Sequence, residues 1–147
     1  MYEVRPATRQ DIRYVAERLR KADRLELAAA TGLTPLALPF ILPLGSTLAW
    51  LVDGRPVCLF GCDPLSTSMQ YAPWMLGTDV IKKHPIAFLR QSLRILKGWK
   101  DRPMTNVVDG RNKLHVRWLV WLGFTFHELI PEYGAQRLPF WRFEMKP

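Results

Sequence analysis

Strand-length apolar runs alternate with segments of helical periodicity along the whole chain, and this alternation constrains the fold more than any other feature. Residues 1–5 predict a first strand. Thr8 predicts the N-cap of the following helix, with Asp11 favourably placed in its first turn. That helix, or a second one after a bend, should end at Gly32, and a proline-broken apolar segment follows at 33–43.

The middle of the chain predicts a hairpin and a further strand. The Asp-Gly pair at 53–54 separates the apolar runs 47–52 and 56–61, which is a strong local hairpin signal. Residues 69–76 predict the next strand. Pro73 lies within it, so this position must need no ladder hydrogen bond, as at a bulge or an edge.

The second half of the chain predicts two helices and three strands. After the linker 77–83, Pro85 marks the first turn of a helix. One of its faces carries Ile86, Leu89, Leu93 and Leu96, and another carries Arg90, Arg94 and Lys97. The remaining elements are a strand at 104–108, a helix at 112–122 closed by Gly123, and strands at 124–129 and 140–145. The order β-α-α-β-β-β-α-β-α-β-β predicts a single α/β domain over 1–147, a mixed central sheet with helices on both faces.

The positive charge is concentrated in one part of the sequence. Ten basic and two acidic residues fall between 82 and 117, so this segment carries the whole net charge of +8. A concentrated basic segment can face nucleic acid, a phosphate-bearing cofactor or an acidic protein partner. It can equally be a solvated helix face, and charge placement alone does not choose between these.

The patterns of cysteine, histidine and hydropathy argue against a metalloprotein, a secreted protein and a membrane-spanning protein. Cys58 and Cys62 have no second cysteine pair, which excludes a cysteine-based zinc cage and favours a reduced, cytosolic chain. The three histidines lack metal-ligand spacing, so no metal site is predicted. The charged opening residues predict no signal peptide. The longest apolar stretch, 33–44, is too short and too rich in proline to span a bilayer.

The element order, together with Asn112 and the Gly-Phe pair at 123–124, resembles the GNAT family of acyl-CoA-dependent N-acyltransferases. That family has a Gly-Phe pair eleven and twelve residues after such an asparagine, and the stretch 4–11 also resembles its first strand and helix entry. The resemblance implies a GNAT-like fold, with acetyl-CoA as cofactor if the chain is active. It also implies cofactor contacts from Leu76, Gly77, Lys82, Lys83 and Asn112.

Two departures from the family pattern bear on activity. GNAT enzymes hold the cofactor diphosphate in a glycine-rich loop, whereas the stretch 77–85 has one glycine, at its start, and Pro85 removes an N–H donor. Leu119 stands where many family members have a tyrosine proton donor, and a leucine cannot transfer a proton. No catalytic residue is therefore assigned. The acids best placed for a GNAT-type general base are Glu26, Asp53 and Asp63, and nothing in the sequence selects one.

Three stretches, 26–32, 73–79 and 112–119, resemble the small internal virion proteins of short-tailed bacteriophages, which have a degenerate GNAT-like pattern. This resemblance implies a virion or morphogenesis protein without acyl transfer or cofactor, located in the host bacterial cytoplasm and then in the virion interior. Its partners would be other virion proteins, and packaged DNA could meet the basic 82–117 face. The alternatives are an active acyl-CoA-dependent N-acetyltransferase and a CoA-binding module without chemistry.

The sequence also predicts roles for individual side chains. Asn112 is expected to cap its helix by accepting a backbone N–H, although the matching asparagine of GNAT enzymes can touch the cofactor. His115, beside aromatic neighbours, is expected to be packed rather than catalytic. Most of the six tryptophans are expected in the core, the alternatives being an acceptor pocket or a protein interface.

Overall fold

A seven-stranded mixed sheet runs through the computed structural model, which describes residues 1–147. The spatial order is β1-β2-β3-β4-β5-β7-β6, and only the β4–β5 pair is parallel. The strands are β1 (Tyr2–Pro6), β2 (Leu48–Val52), β3 (Arg55–Pro64), β4 (Tyr71–Gly77), β5 (Met104–Asp109), β6 (Thr125–Tyr133) and β7 (Leu138–Met145).

Helices cover both faces of this sheet. They are α1 (Arg9–Glu17), α2 (Lys21–Thr31), α3 (Leu38–Ile41), α4 (Pro85–Lys97) and α5 (Lys113–Leu122). The first three pack on one face and the last two on the other, which confirms the predicted α/β architecture. The proline-broken segment forms a 3-10 turn and the short α3, neither of which was predicted. None of the helices is both long enough and apolar enough to cross a membrane.

Local sequence signals set several element boundaries as predicted. The Thr8 hydroxyl accepts the Asp11 N–H at 3.1 Å, and the Asp11 carboxylate accepts the Thr8 N–H at 2.8 Å, forming a capping box. Asp53 and Gly54 have φ angles of 50° and 80°, as the tight turn between β2 and β3 requires. Gly32 follows the last residue of α2.

The buried face of α4 shares only Leu96 with the predicted apolar face. Ile86 and Leu93 are 68% and 45% exposed, whereas the buried positions are Phe88, Ser92, Ile95 and Leu96. Phe88 is the bulkiest side chain of the helix and packs among aromatic rings, those of Trp50, Phe60 and Trp118. Burial of Ser92 carries little penalty because its hydroxyl donates to the Phe88 carbonyl and accepts the Trp118 indole N–H. The packing of Phe88 among these rings therefore sets which face of α4 is turned toward the sheet.

The parallel strands β4 and β5 separate along their length. They pair only at Tyr71 and Met104, near their amino ends, and diverge toward Gly77 and Asp109. Pro73 lies on the edge of β4 that faces this opening, where its carbonyl accepts the Asn106 side-chain amide at 2.9 Å. No ladder hydrogen bond is needed there, as predicted for a proline within a strand.

Candidate functional site

A cavity of about 380 Å³ occupies the opening between β4 and β5. Its walls are mostly apolar and come from both faces of the sheet: α2 and α3 on one side, α4 and α5 on the other. Leu76, Leu119 and Trp118 are among the lining side chains. A concave, mostly apolar site with a few polar groups is the usual form of a small-molecule site, so this cavity is the candidate functional site.

The backbone edge of β4 that faces the cavity is engaged by the segment joining α1 to α2. Thr78 donates its N–H to β3, at the Val57 carbonyl, so strand alternation turns the polar groups of Gly77 toward the cavity side. The Gly77 carbonyl accepts the Arg20 N–H at 2.9 Å, and the Gly77 N–H donates to the Asp23 carboxylate at 2.9 Å. Both backbone groups at the end of β4 are therefore occupied from within the chain.

A second carboxylate of α2 engages the end of β5. Glu26 accepts the Asp109 N–H at 3.1 Å. Asp23 and Glu26, three residues apart on one helix face, thus hold the two diverging strand ends. We call these two carboxylates and the strand-end N–H groups that they accept the α2 latch.

Asn112 ties the two carboxylates of the latch together, and its predicted capping role is wrong. Its side-chain nitrogen donates to Asp23 at 2.8 Å and to Glu26 at 3.3 Å. Its side-chain oxygen lies 3.5 Å from the Arg20 guanidinium and makes no capping bond to the helix. Hydrogen bonds to charged partners are stronger than a neutral cap, which explains the difference.

Burial and neighbouring charges shift the protonation of this cluster. Arg20 and Asp23 form an ion pair at 3.0 Å, with side chains 6% and 1% exposed. Removal from water, reinforced by the nearby Asp23 carboxylate, raises the pKa of Glu26 to about 8, so this partly buried side chain is mostly protonated at neutral pH. Burial lowers the pKa of His115, which packs against Trp118 as expected and is neutral at pH 7.

The structure separates the predicted cofactor contacts into two groups. Gly77 and Asn112 meet through Asp23, and Leu76 lies on the cavity wall. Lys82 and Lys83 are exposed and border different grooves, the first beside Arg20 and Arg111 and the second beside Asp53 and Arg55. The two lysines therefore do not converge on one ligand position, and a cofactor role for these five residues stays a prediction.

Of the three proposed general bases, Glu26 is the one placed in the polar cluster. Asp63 also borders the cavity, but its carboxylate accepts the Trp74 indole N–H at 2.8 Å. Asp53 lies at the β2–β3 turn, exposed and paired with the amino terminus at 2.7 Å. Asp23 is not among the site residues predicted from the sequence. The available signal was its spacing of three from Glu26, which puts both acids on one side of the helix.

This region contains neither a cluster of metal-ligating side chains nor an activated thiol. No three histidine, cysteine, aspartate or glutamate side chains lie close enough together to hold a metal ion. Cys58 and Cys62 are buried free thiols. Burial raises the pKa of both, to about 11 for Cys62, so neither forms a thiolate readily at neutral pH.

The turn between β4 and α4 differs from the glycine-rich loop that holds a diphosphate by backbone amides. Residues 79–83 form a 3-10 turn, and the N–H groups of Thr78, Ile81 and His84 all donate to backbone carbonyls. Pro85 is the first residue of α4 and has no N–H to offer. Three amides at this turn are therefore engaged and Pro85 has none, which distinguishes the turn from the glycine-rich loop that holds a nucleotide diphosphate.

Comparison with solved structures identifies the fold. No protein-family model matches the sequence, and no curated protein does. A GNAT-family acetyltransferase from Bacillus anthracis superposes with a TM-score of 0.72 at 10% identity, over 99% of this chain and 94% of that one.

Two further enzymes agree. A phosphinothricin acetyltransferase from Sinorhizobium meliloti, solved with acetyl-CoA, gives 0.67 at 18% identity, over 97% and 86% of the two chains. The ribosomal-protein-S18-alanine N-acetyltransferase from Escherichia coli gives 0.68 at 8% identity, over 99% and 93%. This chain therefore has the fold of the GNAT N-acetyltransferases.

Proposed function

We propose that this chain uses the GNAT fold without transferring acyl groups from CoA. The observation that carries the proposal is the α2 latch. A ligand that enters between the ends of β4 and β5 has to displace the hydrogen bonds that Gly77 and Asp109 make to Asp23 and Glu26. Displacing them would also disturb the buried Arg20–Asp23 ion pair, and uncompensated buried charges are costly.

The chemistry of the cavity supports the same proposal. Leu119 lines the cavity where the family resemblance expects a proton-donating tyrosine. The Glu26 carboxyl group is already engaged by the Asp109 N–H and the Asn112 amide. In the turn before Pro85, the N–H groups of Thr78, Ile81 and His84 are engaged by backbone carbonyls and are not available to a diphosphate. The sheet and helices have the GNAT arrangement, whereas the tyrosine is absent and the strand-end N–H groups and Glu26 are engaged within the chain.

The biological setting that we propose is the virion of a short-tailed bacteriophage. Its support is the sequence resemblance of residues 26–32, 73–79 and 112–119, and the solved structures reported above do not bear on it. In this setting the protein would be made in the host cytoplasm and end in the virion interior. Other virion proteins would be its partners, with packaged DNA as a further partner for the basic side chains of 82–117 that lie outside α4 and α5.

The test of the proposal is thermal unfolding with and without millimolar acetyl-CoA. A ligand that binds only the folded state must raise the unfolding temperature. We expect no shift with acetyl-CoA, and none with acetyl-pantetheine, which lacks the nucleotide and so isolates the apolar end of the cavity. A clear rise with acetyl-CoA would contradict the proposal. For the virion setting, the protein should be recovered from purified particles by mass spectrometry.

An acyl-CoA-dependent N-acetyltransferase is the second candidate, and Glu26 favours it. A carboxyl group with a pKa of about 8 in a cavity has the proton affinity that suits a base for an amine acceptor. The acetyltransferases of the same fold, one solved with acetyl-CoA, also support it. Under this candidate, acetyl-CoA raises the unfolding temperature of both the wild-type chain and Glu26→Gln, while release of free thiol in the presence of amines is lost only in the variant.

A further inference from the structure

We propose that the outward face of α4 and α5 binds an acidic, amphipathic helical segment of a partner protein. This face is defined by Arg90, Arg94 and Lys97 on α4, by Lys113 and Arg117 on α5, and by the exposed apolar side chains among them. It lies on the sheet face opposite α1–α3. The inference goes beyond the proposed function and does not depend on whether the cavity binds a ligand.

The charge on this face is unbalanced. Neither α4 nor α5 contains an aspartate or a glutamate, and all five of their basic side chains are exposed. None of the five forms an ion pair, whereas Arg5, Arg111 and Arg142 elsewhere in the chain each lie against a carboxylate. These five cations therefore have no counter-charge within the protein, and an acidic partner would supply it.

Large apolar side chains lie among these cations. Ile86 and Leu93 are seven residues apart on α4 and share one side of it, and Val120 and Trp121 on α5 are 57% and 49% exposed. The two helices are in contact where the Trp118 indole N–H donates to the Ser92 hydroxyl at 3.0 Å and the Trp118 ring packs against Phe88. Single exposed apolar residues are common, but four on two adjacent helices, among unpaired cations, indicate a contact surface.

The mixture of apolar and basic groups decides between possible partners. Nucleic-acid phosphates would satisfy the cations but leave Ile86, Leu93 and Trp121 without contacts. A membrane-bound helix needs a continuous apolar face to enter the interface. On α4 and α5 the continuous apolar faces are already packed against the sheet through residues such as Phe88 and Leu119. An amphipathic helix with an apolar stripe flanked by Asp and Glu matches both features.

The test measures binding of a synthetic, fluorescently labelled helical peptide of about 20 residues, with a leucine stripe flanked by glutamates. A peptide of the same composition in scrambled order, a duplex DNA and vesicles of anionic lipid are the comparison ligands. We expect the amphipathic peptide to bind at least about tenfold more tightly than the scrambled one, because charge alone does not use the apolar side chains.

Two double variants test the surface itself. Arg90→Glu with Arg94→Glu should weaken binding of the amphipathic peptide by at least about tenfold, since each reversal replaces an attraction with a repulsion. Ile86→Ser with Leu93→Ser should weaken it while leaving the salt dependence unchanged. The matched control is Arg9→Glu with Arg13→Glu, an exposed arginine pair of the same spacing on α1, on the opposite sheet face, which should leave binding unchanged.

Three results would overturn the proposal. The first is equal binding of the scrambled and amphipathic peptides. The second is a preference for DNA or vesicles over the amphipathic peptide, which would assign the face to nucleic acid or to a membrane. The third is an equal loss of binding in the α1 control, which would mean that net charge rather than this surface is responsible. All substituted positions are exposed, and circular dichroism of each variant checks that it is folded.

Discussion

The carboxylate of Asp23 accepts hydrogen bonds from three separate parts of the chain. The Arg20 guanidinium lies 3.0 Å from it, the Asn112 amide 2.8 Å and the Gly77 N–H 2.9 Å. These donors join the start of α2, the start of α5 and the end of β4. The buried Asp23 side chain therefore connects α2, α5 and the end of β4 beside the cavity.

Replacing Asp23 with alanine should destabilise the protein strongly. The change leaves the Arg20 guanidinium buried without its counter-ion, and breaking such a pair typically costs about 3–5 kcal/mol. Chemical denaturation monitored by tryptophan fluorescence measures the loss. The control is Asp53→Ala, which removes an exposed ion pair with the amino terminus and should have a much smaller effect. Equal losses in the two variants would contradict the role assigned to Asp23.

At the residue scale, contacts between neighbours in the sequence could be predicted, whereas contacts between distant residues could not. The Thr8–Asp11 capping box and the Asp53-Gly54 turn depend on neighbours within a few positions. The partners of Asn112 lie 86 and 89 positions away, at Glu26 and Asp23. The Asn112 side chain can either cap its own helix or bind the remote carboxylates. Which of these occurs depends on the position of α2 against the strand ends, and the hydrophobic periodicity of the sequence does not reveal that position.

At the element scale, the end of α2 is held by the hairpin between β6 and β7. The N–H groups of Ala135 and Gln136 donate to the Ala30 and Ala29 carbonyls at 3.2 and 3.1 Å. These bonds satisfy carbonyls near the carboxyl end of the helix. The hairpin and the latch therefore fix opposite ends of α2 over the cavity.

Gly134→Ala should weaken this contact. Gly134 has φ of 74°, and a Cβ there would lie 2.5 Å from the Ala29 carbonyl oxygen and 2.7 Å from the Ala30 Cα. Because both are backbone atoms, the hairpin must move, and we expect a loss of at least about 2–3 kcal/mol in the free energy of unfolding.

The matched control for this prediction is Gly54→Ala. Gly54 has φ of 80° but open space around its Cα, so the substitution measures the cost of the backbone conformation alone, about 1 kcal/mol. Denaturation curves of the two variants compare these losses. A Gly134 variant no less stable than the Gly54 variant would show that the hairpin can move away from α2 freely.

The element order could be predicted because each strand and helix has its own apolar period, but the orientation of α4 could not. Its sequence supports two apolar faces, one through Leu89 and Leu93 and the other through Phe88 and Ile95. The choice between them depends on the aromatic rings of β2, β3 and α5, which only the assembled sheet brings together. The opening between β4 and β5 likewise has no signature in either strand alone.

At the scale of the whole molecule, the stability of the fold is coupled to the protonation of Glu26 beside the cavity. The groups around Glu26 are the carboxylates of Asp23 and Asp109, the guanidinium of Arg111, the amide of Asn112 and, through Asn112, the imidazole of His115. Glu26 has a pKa of about 8 in the folded protein, well above the roughly 4.3 of an unfolded glutamate. The folded chain thus holds a proton between these values that the unfolded chain has lost.

The sign of the resulting pH dependence follows from this difference. Because the folded pKa is the higher one, the stabilisation from protonated Glu26 is fully present below about pH 4.3 and is lost as the pH rises through about 8. Glu26→Gln retains a side-chain oxygen to accept the Asp109 N–H and cannot ionise. We expect the variant to match the wild-type chain near pH 5 and to exceed its free energy of unfolding by about 2 kcal/mol above pH 9, a figure reduced from the full shift because Glu26 is only partly buried.

Urea denaturation of both chains from pH 5 to 9.5 measures this difference, in which the contributions of the other titrating groups cancel to first order. Glu132→Gln on β6 is the control, since it removes an exposed carboxylate that has no ion-pair partner and should leave the pH profile unchanged. Parallel profiles for the wild-type chain and Glu26→Gln would mean that Glu26 is ionised in the folded protein, and that both carboxylates of the latch carry charge.

If the profiles diverge as expected, raising the pH places a second negative charge beside Asp23 and weakens the hold of α2 on the strand ends. Ligand-binding measurements on the cavity should then be made on both sides of pH 8.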